Sequence, residues 1–80
     1  MAVRILLLGP LRDLAERQEI KTNGPLDWPG LLEAVGPQVA AQLADEKVNV
    51  ACAGKVLADR TSLVAQDGEE VALLPPVSGG

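Results

Sequence analysis

The chain has 80 residues, a formal net charge of −4 and an apolar content of 48 %, and this length supports one domain with a modest core. The acidic balance argues against a general nucleic-acid binder, which needs a basic surface. The sequence contains one cysteine and no histidine, tyrosine or phenylalanine, so it excludes histidine-based triads, histidine or cysteine zinc sites and an internal disulfide.

The first elements begin with a β-branched and aliphatic run at residues 3–8, which predicts a buried central strand. The run is too short for a membrane span or a signal peptide, and we expect a cytoplasmic protein. Gly9-Pro10 ends it, and residues 11–15 are predicted to form a short helical turn. Glu19–Thr22 is predicted to pair with the first strand in the antiparallel sense, before a turn at residues 23–25. The helical turn is expected to pack through one side, which carries Leu11, Leu14 and Ala15.

A helical segment is predicted at residues 28–44. Asp27 is suited to the N-cap and Pro29 to the first turn. Gly36-Pro37 interrupts the pattern, so we expect a kinked helix or two short helices. Trp28, the single aromatic residue, is predicted to pack on the sheet, and stacking on a ligand is the alternative. The apolar stripe at helical spacing consists of Trp28, Leu31, Leu32, Val35, Val39 and Leu43.

An alternation of period two at residues 48–53 predicts the next strand, with Cys52 on the same face as Val48 and Val50. We predict a buried, structural cysteine, because a catalytic or sulfur-carrying thiol needs exposure and a positive neighbour that lowers its pKa. A tight turn then leads into a short strand at residues 56–58.

The loop that follows ends in a predicted short turn at residues 63–66, which packs through Leu63 or Val64. Asp67-Gly68 is a further turn signal, and residues 69–74 are predicted to form the last strand. Two acidic pairs are predicted to be solvated surface rather than acid–base dyads, namely Asp45-Glu46 and Glu69-Glu70.

The predicted order is two strands, a helical segment and two further strands with a short extra strand. Because the first and last strands are strongly apolar, we expect them to be adjacent, parallel and central, joined by a right-handed crossover through the helix. The prediction is an α+β fold of the β-grasp type, a mixed sheet with one kinked or split helix across one face. We assign residues 1–74 to this domain and residues 75–80 to an extended C-terminal tail.

The tail begins with Pro75 and Pro76, which cannot continue a central strand and favour an extended path. It finishes with Gly79 and Gly80, whose lack of side chains makes a slim end that fits a narrow pocket. At about 3.3–3.6 Å per residue, the tail reaches roughly 20 Å. The pattern indicates an arm that carries a terminal carboxylate into another protein's active site, and a merely flexible terminus is the alternative.

Several stretches carry a family resemblance. The ending Leu74-Pro75-Pro76-Val77-Ser78-Gly79-Gly80, on this topology, resembles the small, sulfur-carrier subunit of molybdopterin synthase, a ubiquitin-like β-grasp family. The segments at residues 3–6, 11–14 and 67–71 are also similar to that family. The resemblance covers nearly the whole chain.

The resemblance implies a mechanism for Gly80. An adenylating enzyme uses ATP to convert its carboxylate to an acyl adenylate, and sulfur transfer then gives a thiocarboxylate. The tail enters the large catalytic subunit of a heterotetrameric synthase, where the sulfur goes to cyclic pyranopterin monophosphate. The tail residues implied to insert are Pro75, Pro76, Val77, Ser78 and Gly79.

The same resemblance implies that this chain binds no cofactor and performs no catalysis on its own. The implied partners are the large synthase subunit, the activating enzyme and a sulfur donor system, with neither nucleic acid nor membrane. Apolar residues near the exit of the tail are implied to dock the body, namely Leu8, Leu57 and Leu74. Core packing is the alternative for each of them. The chain departs from the family at Leu7 and Leu8, where relatives often carry aromatic residues, and in a slightly long loop at residues 61–66.

Other functions stay open at this point. A thiamine-pathway sulfur carrier and a ubiquitin-like protein modifier share the double glycine, although thiamine carriers are usually shorter and lack the Pro-Pro exit. A β-grasp interaction module with an inert terminus is an alternative of a different class.

Overall fold

The structure, a computed structural model, describes residues 2–45 and 48–75. Its strands are β1 Val3–Leu7, β2 Glu19–Thr22, β3 Leu26–Asp27, β4 Asn49–Cys52, β5 Lys55–Val56, β6 Val64–Ala65 and β7 Glu70–Leu74. Its helices are α1 Pro10–Ala15, α2 Trp28–Val35 and α3 Pro37–Leu43, with a 3₁₀ turn at Arg60–Ser62. Within the described ranges, no helix is long and apolar enough to cross a lipid bilayer.

β7 is the central strand of a five-stranded mixed sheet with the order β2-β1-β7-β4-β5. It runs parallel to β1, with Ile5 opposite Val71, and antiparallel to β4, with Val50 opposite Leu73. β1 also pairs with β2 in the antiparallel sense. The predicted adjacency of the first and last apolar runs and the predicted first strand pair are both confirmed, and the fold is a β-grasp.

One face of this sheet is buried beneath the helices. Val71 and Leu73 of β7 are fully buried, whereas Ala72 and Leu74 are only half-buried, because successive side chains of a strand point to opposite faces. The helices contribute to the same buried cluster Leu11, Leu31, Val35, Val39 and Leu43. The buried side chains among the described residues are all apolar.

The helical segment is divided as the sequence predicts. Asp27 caps α2, because its Oδ1 atom accepts a hydrogen bond from the Gly30 N–H at 2.9 Å. Gly36 then adopts a φ of 87° between α2 and α3, a backbone conformation that glycine enters without steric cost. Pro37 begins α3, where its missing N–H is not needed.

The prediction for α1 is wrong at one position. Leu11 is buried at 2 % exposure and Ala15 packs against the core, but Leu14 is 38 % exposed. Leu11 and Ala15 lie about 40° apart around the helix, whereas Leu14 lies about 60° from Leu11 on the other side and about 100° from Ala15. A six-residue helix therefore buries a narrow strip and leaves Leu14 outside it.

The prediction of a simple turn at residues 63–66 is also wrong. Val64–Ala65 forms β6, which pairs with β3 in a separate two-stranded sheet, with Leu26 opposite Ala65. Leu63 provides the packing, since it is 1 % exposed and Val64 is 57 % exposed. Two-residue strands are too short to show a period in the sequence, so this small sheet carried no sequence signal.

Candidate functional site

The candidate site is the end of the central strand, where the chain leaves the sheet. Leu74 is the last residue of β7 and lies opposite Asn49 of β4, while Leu73 lies opposite Leu7 of β1. The strand is therefore held by partners on both sides up to its last residues, which fixes the position from which the chain departs.

Pro75 follows β7 and is half-buried against the body. The other residues predicted to form the tail lie outside the described residues, and so does the predicted reactive group of Gly80. These residues are Pro76, Val77, Ser78, Gly79 and Gly80. Their proposed roles remain predictions.

Two of the three predicted docking residues lie together at this exit. Leu8 follows β1 and Leu74 ends β7, so both come directly after the Leu7–Leu73 pair of two parallel strands. Leu8 is 42 % exposed, and Leu74 is half-buried. Side chains at the ends of neighbouring strands form a continuous surface, and this one is apolar.

Leu57 is placed differently. It follows β5, donates its backbone N–H to the Val50 carbonyl at 2.9 Å, and packs against the buried core. Its neighbour Val56 lies opposite Ala51 of β4 and is 58 % exposed. Val56 is thus the more accessible apolar residue on this edge, and the sequence offered no signal for it because β5 is only two residues long.

A row of apolar side chains crosses the more exposed face of the sheet, and we call it the apolar row. Consecutive members lie opposite each other on adjacent strands. Its members are Leu6, Ala72, Ala51 and Val56. Because both central members are alanines, no large side chain rises from the middle of this face. Leu74 extends the same face of β7 towards the exit.

Charged residues border the apolar row: Arg4 and Glu70 lie on its side away from the exit, and Glu19 lies opposite Leu6 at its β2 end. Arg4 bonds Glu70 at 3.0 Å and lies 3.9 Å from Glu19. These side chains are half exposed, and such surface pairs contribute about 0–1 kcal/mol to stability. They confirm the surface role predicted for Glu70, whereas Glu46 of the other acidic pair lies outside the described residues. An apolar centre with a charged border is the composition of a protein-binding surface.

Cys52 is half-buried rather than buried, which corrects the sequence prediction. It is the last residue of β4, between Val71 of β7 and Lys55 of the two-residue β5. Burial, followed by the negative charge of Glu69, raises the pKa of the Cys52 thiol. The neutral thiol is a poor nucleophile, which supports the predicted structural role.

Trp28 packs against the core, as predicted. The guanidinium of Arg60 lies over the indole ring, and this contact was not predicted. The adjacent 3₁₀ turn is capped by Asp59, whose carboxylate accepts hydrogen bonds from the hydroxyl and the backbone N–H of Thr61. These two bonds lower the pKa of Asp59 and hold the turn in place.

Comparisons with known proteins agree with this geometry. A model of the ThiS family matches residues 5–80. The molybdopterin synthase sulfur carrier subunit of Emericella nidulans is 35 % identical over 71 residues, which cover 89 % of this chain and 70 % of that protein.

Two solved structures share the fold. The solution structure of small archaeal modifier protein 1 from Methanosarcina acetivorans matches with a TM-score of 0.76 at 21 % identity, over 99 % of this chain and 96 % of that one. A chain from the complex of subunits 1 and 2 of molybdopterin-converting factor of Helicobacter pylori matches with a TM-score of 0.55 at 20 % identity, over the full length of both chains. At these identities the likeness concerns the fold.

Proposed function

This chain belongs to the ThiS family, and from that membership we propose that it is the sulfur-carrier subunit of a molybdopterin synthase. The relative from Emericella nidulans supports the choice of pathway. The observation that carries the proposal is the position of β7: the central strand of the sheet ends at Leu74 beside the exposed Leu8. The residues after Leu74 therefore leave the sheet at a fixed position, next to an apolar docking surface.

The proposed reactive group is the carboxylate of Gly80. A carboxylate is a poor electrophile, so an activating enzyme first transfers AMP to it from ATP and releases pyrophosphate. A sulfur donor system then displaces AMP and leaves a thiocarboxylate, whose sulfur is nucleophilic. The large synthase subunit transfers this sulfur to cyclic pyranopterin monophosphate.

The folded domain of this chain binds the partner proteins and positions the C-terminal tail. Leu8 and Leu74, together with the apolar row, provide the contact surface for the large subunit and the activating enzyme. Binding energy gained there holds the reacting group in place, which replaces a bimolecular encounter by a positioned one. The catalytic groups are supplied by the partners, in keeping with a sequence that has no histidine.

An intact-mass measurement tests the proposal. The protein is incubated with the activating enzyme, ATP and the sulfur donor system, and the expected product is heavier by the exchange of one oxygen for one sulfur. The measurement also checks that the mature protein finishes at Gly80, which the proposal requires. A protein that keeps its carboxylate mass under these conditions, while an authentic carrier is converted in parallel, overturns the proposal.

The same sample distinguishes the remaining alternatives. A protein modifier gives conjugates in which Gly80 is linked to lysines of other proteins. A thiamine-pathway carrier forms the thiocarboxylate but fails to deliver its sulfur to cyclic pyranopterin monophosphate in the presence of the large synthase subunit. An inert interaction module gives none of these products.

A further inference from the structure

Gly9 lies where the chain leaves the sheet. It follows Leu8 at the end of β1, and Pro75 follows Leu74 at the end of the parallel neighbour β7. A Cβ atom built on Gly9 stands 3.3 Å from the Cγ atom of Pro75. This distance is shorter than an ordinary carbon–carbon contact of about 3.5–4.0 Å, so the space between the Gly9 backbone and the proline ring is too small for a side chain unless the ring moves.

We propose that Gly9 is a positioning residue for the transfer reaction: its backbone forms the wall against which the Pro75 ring packs, and this contact sets the direction in which residues 76–80 leave the body. The inference rests on the proposed carrier function, because it assigns a purpose to that direction. Gly9 itself touches no reacting atom and acts through Pro75.

The backbone conformation of Gly9 makes the wall specific to glycine. Its φ of 57° and ψ of −133° lie in a region that glycine enters freely and that residues with a side chain rarely adopt. Two hydrogen bonds hold it there, from the Leu11 N–H to the Leu8 carbonyl at 3.2 Å and from the Arg12 N–H to the Gly9 carbonyl at 3.1 Å. The first turn of α1 therefore holds the backbone of Gly9 in this conformation.

Pro75 is suited to transmit this constraint. Its ring fixes φ near −65°, and the residue is half-buried, so it has little freedom to rotate on the body. The five residues after Pro75 can span up to about 16–18 Å. The proposed function requires a tail extended over that reach, and in such a tail a change of direction at Pro75 displaces the terminal carboxylate. A misplacement of about 1 Å at a reacting centre costs on the order of 100-fold in rate.

The test compares Gly9→Ala with Gly36→Ala. Both glycines have positive φ, at 57° and 87°, but a Cβ on Gly36 meets nothing within 4 Å. Gly36→Ala therefore reproduces the backbone strain without the contact to Pro75. We expect Gly9→Ala to lower kcat for adenylation by the activating enzyme by about 10-fold or more, with KM nearly unchanged because the docking surface is intact. Gly36→Ala is expected to lower the unfolding temperature and leave kcat unchanged.

A second readout needs no partner enzyme. Residual dipolar couplings of the backbone amides of residues 77–79 report the direction of the tail in the free protein, and Gly9→Ala is expected to change them while Gly36→Ala does not. Failure of the wild-type protein to be adenylated refutes the carrier function but leaves this measurement valid. Unchanged couplings in Gly9→Ala refute the positioning role alone.

A double-variant cycle of Gly9→Ala with Pro75→Ala tests whether the effect of Gly9→Ala depends on the Pro75 ring. Removing the ring abolishes the contact, so adding Gly9→Ala to Pro75→Ala is expected to change kcat much less than Gly9→Ala changes it in the wild type. An equal loss of kcat in both backgrounds overturns the proposal. If Gly9→Ala does not fold, Pro75→Ala is the deciding variant. It is expected to lower kcat for adenylation while its unfolding temperature stays near that of the wild type. A wild-type kcat in Pro75→Ala overturns the inference.

Discussion

The Cζ atom of Arg60 lies 5.5 Å from the centroid of the Trp28 ring. The same guanidinium donates hydrogen bonds to the carbonyl of Asp45 at 2.7 Å and to that of Val48 at 3.1 Å. A weaker bond reaches the carbonyl of Ala44 at 3.4 Å, just after α3. One side chain thus joins the loop after β5 to the end of α3 and to the start of α2.

We predict that Arg60→Ala lowers the free energy of unfolding by about 1–3 kcal/mol, because backbone carbonyls lose a charged donor and Trp28 loses its cation. Arg60→Lys is expected to restore only part of this loss, since an ammonium cannot spread its donors over several carbonyls as a planar guanidinium does. Urea denaturation measures the change. The matched control is Arg17→Ala at an exposed site, and an equal loss in this control contradicts the prediction.

The docking surface predicts a second result. Leu74→Asp is expected to weaken binding to the large synthase subunit by about 2–4 kcal/mol, because it places an unpaired charge in an apolar contact. Calorimetry measures binding, and a thermal melt of the free chain is recorded beside it. Val64→Asp is the control, since Val64 is 57 % exposed and belongs to the β3–β6 sheet. A melting shift large enough to account for the lost binding assigns Leu74 to the core instead.

Cys52 gives a third prediction. If sulfur travels on the terminal carboxylate, Cys52→Ala keeps sulfur transfer at the wild-type rate and costs about 1 kcal/mol of stability or less. The measurements are the yield of thiocarboxylate and urea denaturation. Loss of transfer with preserved folding would move the chemistry to the thiol.

The thiol also has a predictable pH dependence. Because its pKa is raised by burial and Glu69, the folded protein keeps this proton to higher pH than the unfolded chain does. Its contribution to stability is therefore fully present below the ordinary thiol pKa of about 8.5 and is lost as the pH rises through the raised value. Alkylation at pH 8 is expected to be slower for the folded protein than for the protein in urea, and equal rates contradict this.

Gly80 provides the fifth prediction. Deleting it leaves the carboxylate about 3.5 Å short of the reacting centre, and adding a residue after it places a peptide where the adenylate forms. For both variants the rate of adenylation is expected to fall on the order of 100-fold or more, while the melting temperature stays that of the wild type. An extended chain that is adenylated and sulfurated normally, without being trimmed, contradicts the role of Gly80.

The sequence predicted those parts of the fold that rest on local chemistry. The apolar runs of β1 and β7, the Asp27 cap and the break at Gly36 each have a signal within a few residues. The contacts that were missed have their partners far apart in the chain. Arg60 meets Trp28 across two intervening strands, and β3 meets β6 through two residues each.

The candidate site was predicted in part for the same reason. Pairing of β1 with β7 brings Leu8 and Leu74 together, and the sequence predicted that pairing. The orientation of Leu57 and Val56 depends on a two-residue edge strand, whose alternation cannot be read without its partner β4. The closeness of Gly9 to Pro75 depends on a positive φ that the sequence alone does not specify.

The central position of β7 bears on how the protein is made. Arg4 is joined to Glu70 across a separation of 66 residues, so the first strand cannot complete its pairing until the ribosome has added the last one. Until then β1 and β4 both lack the neighbour between them, and unpaired strand edges invite association with other chains. Such long-range pairing also slows folding. A nascent chain that stalls before β7 therefore has no β-grasp sheet, because β1 and β4 have not yet gained the strand that joins them.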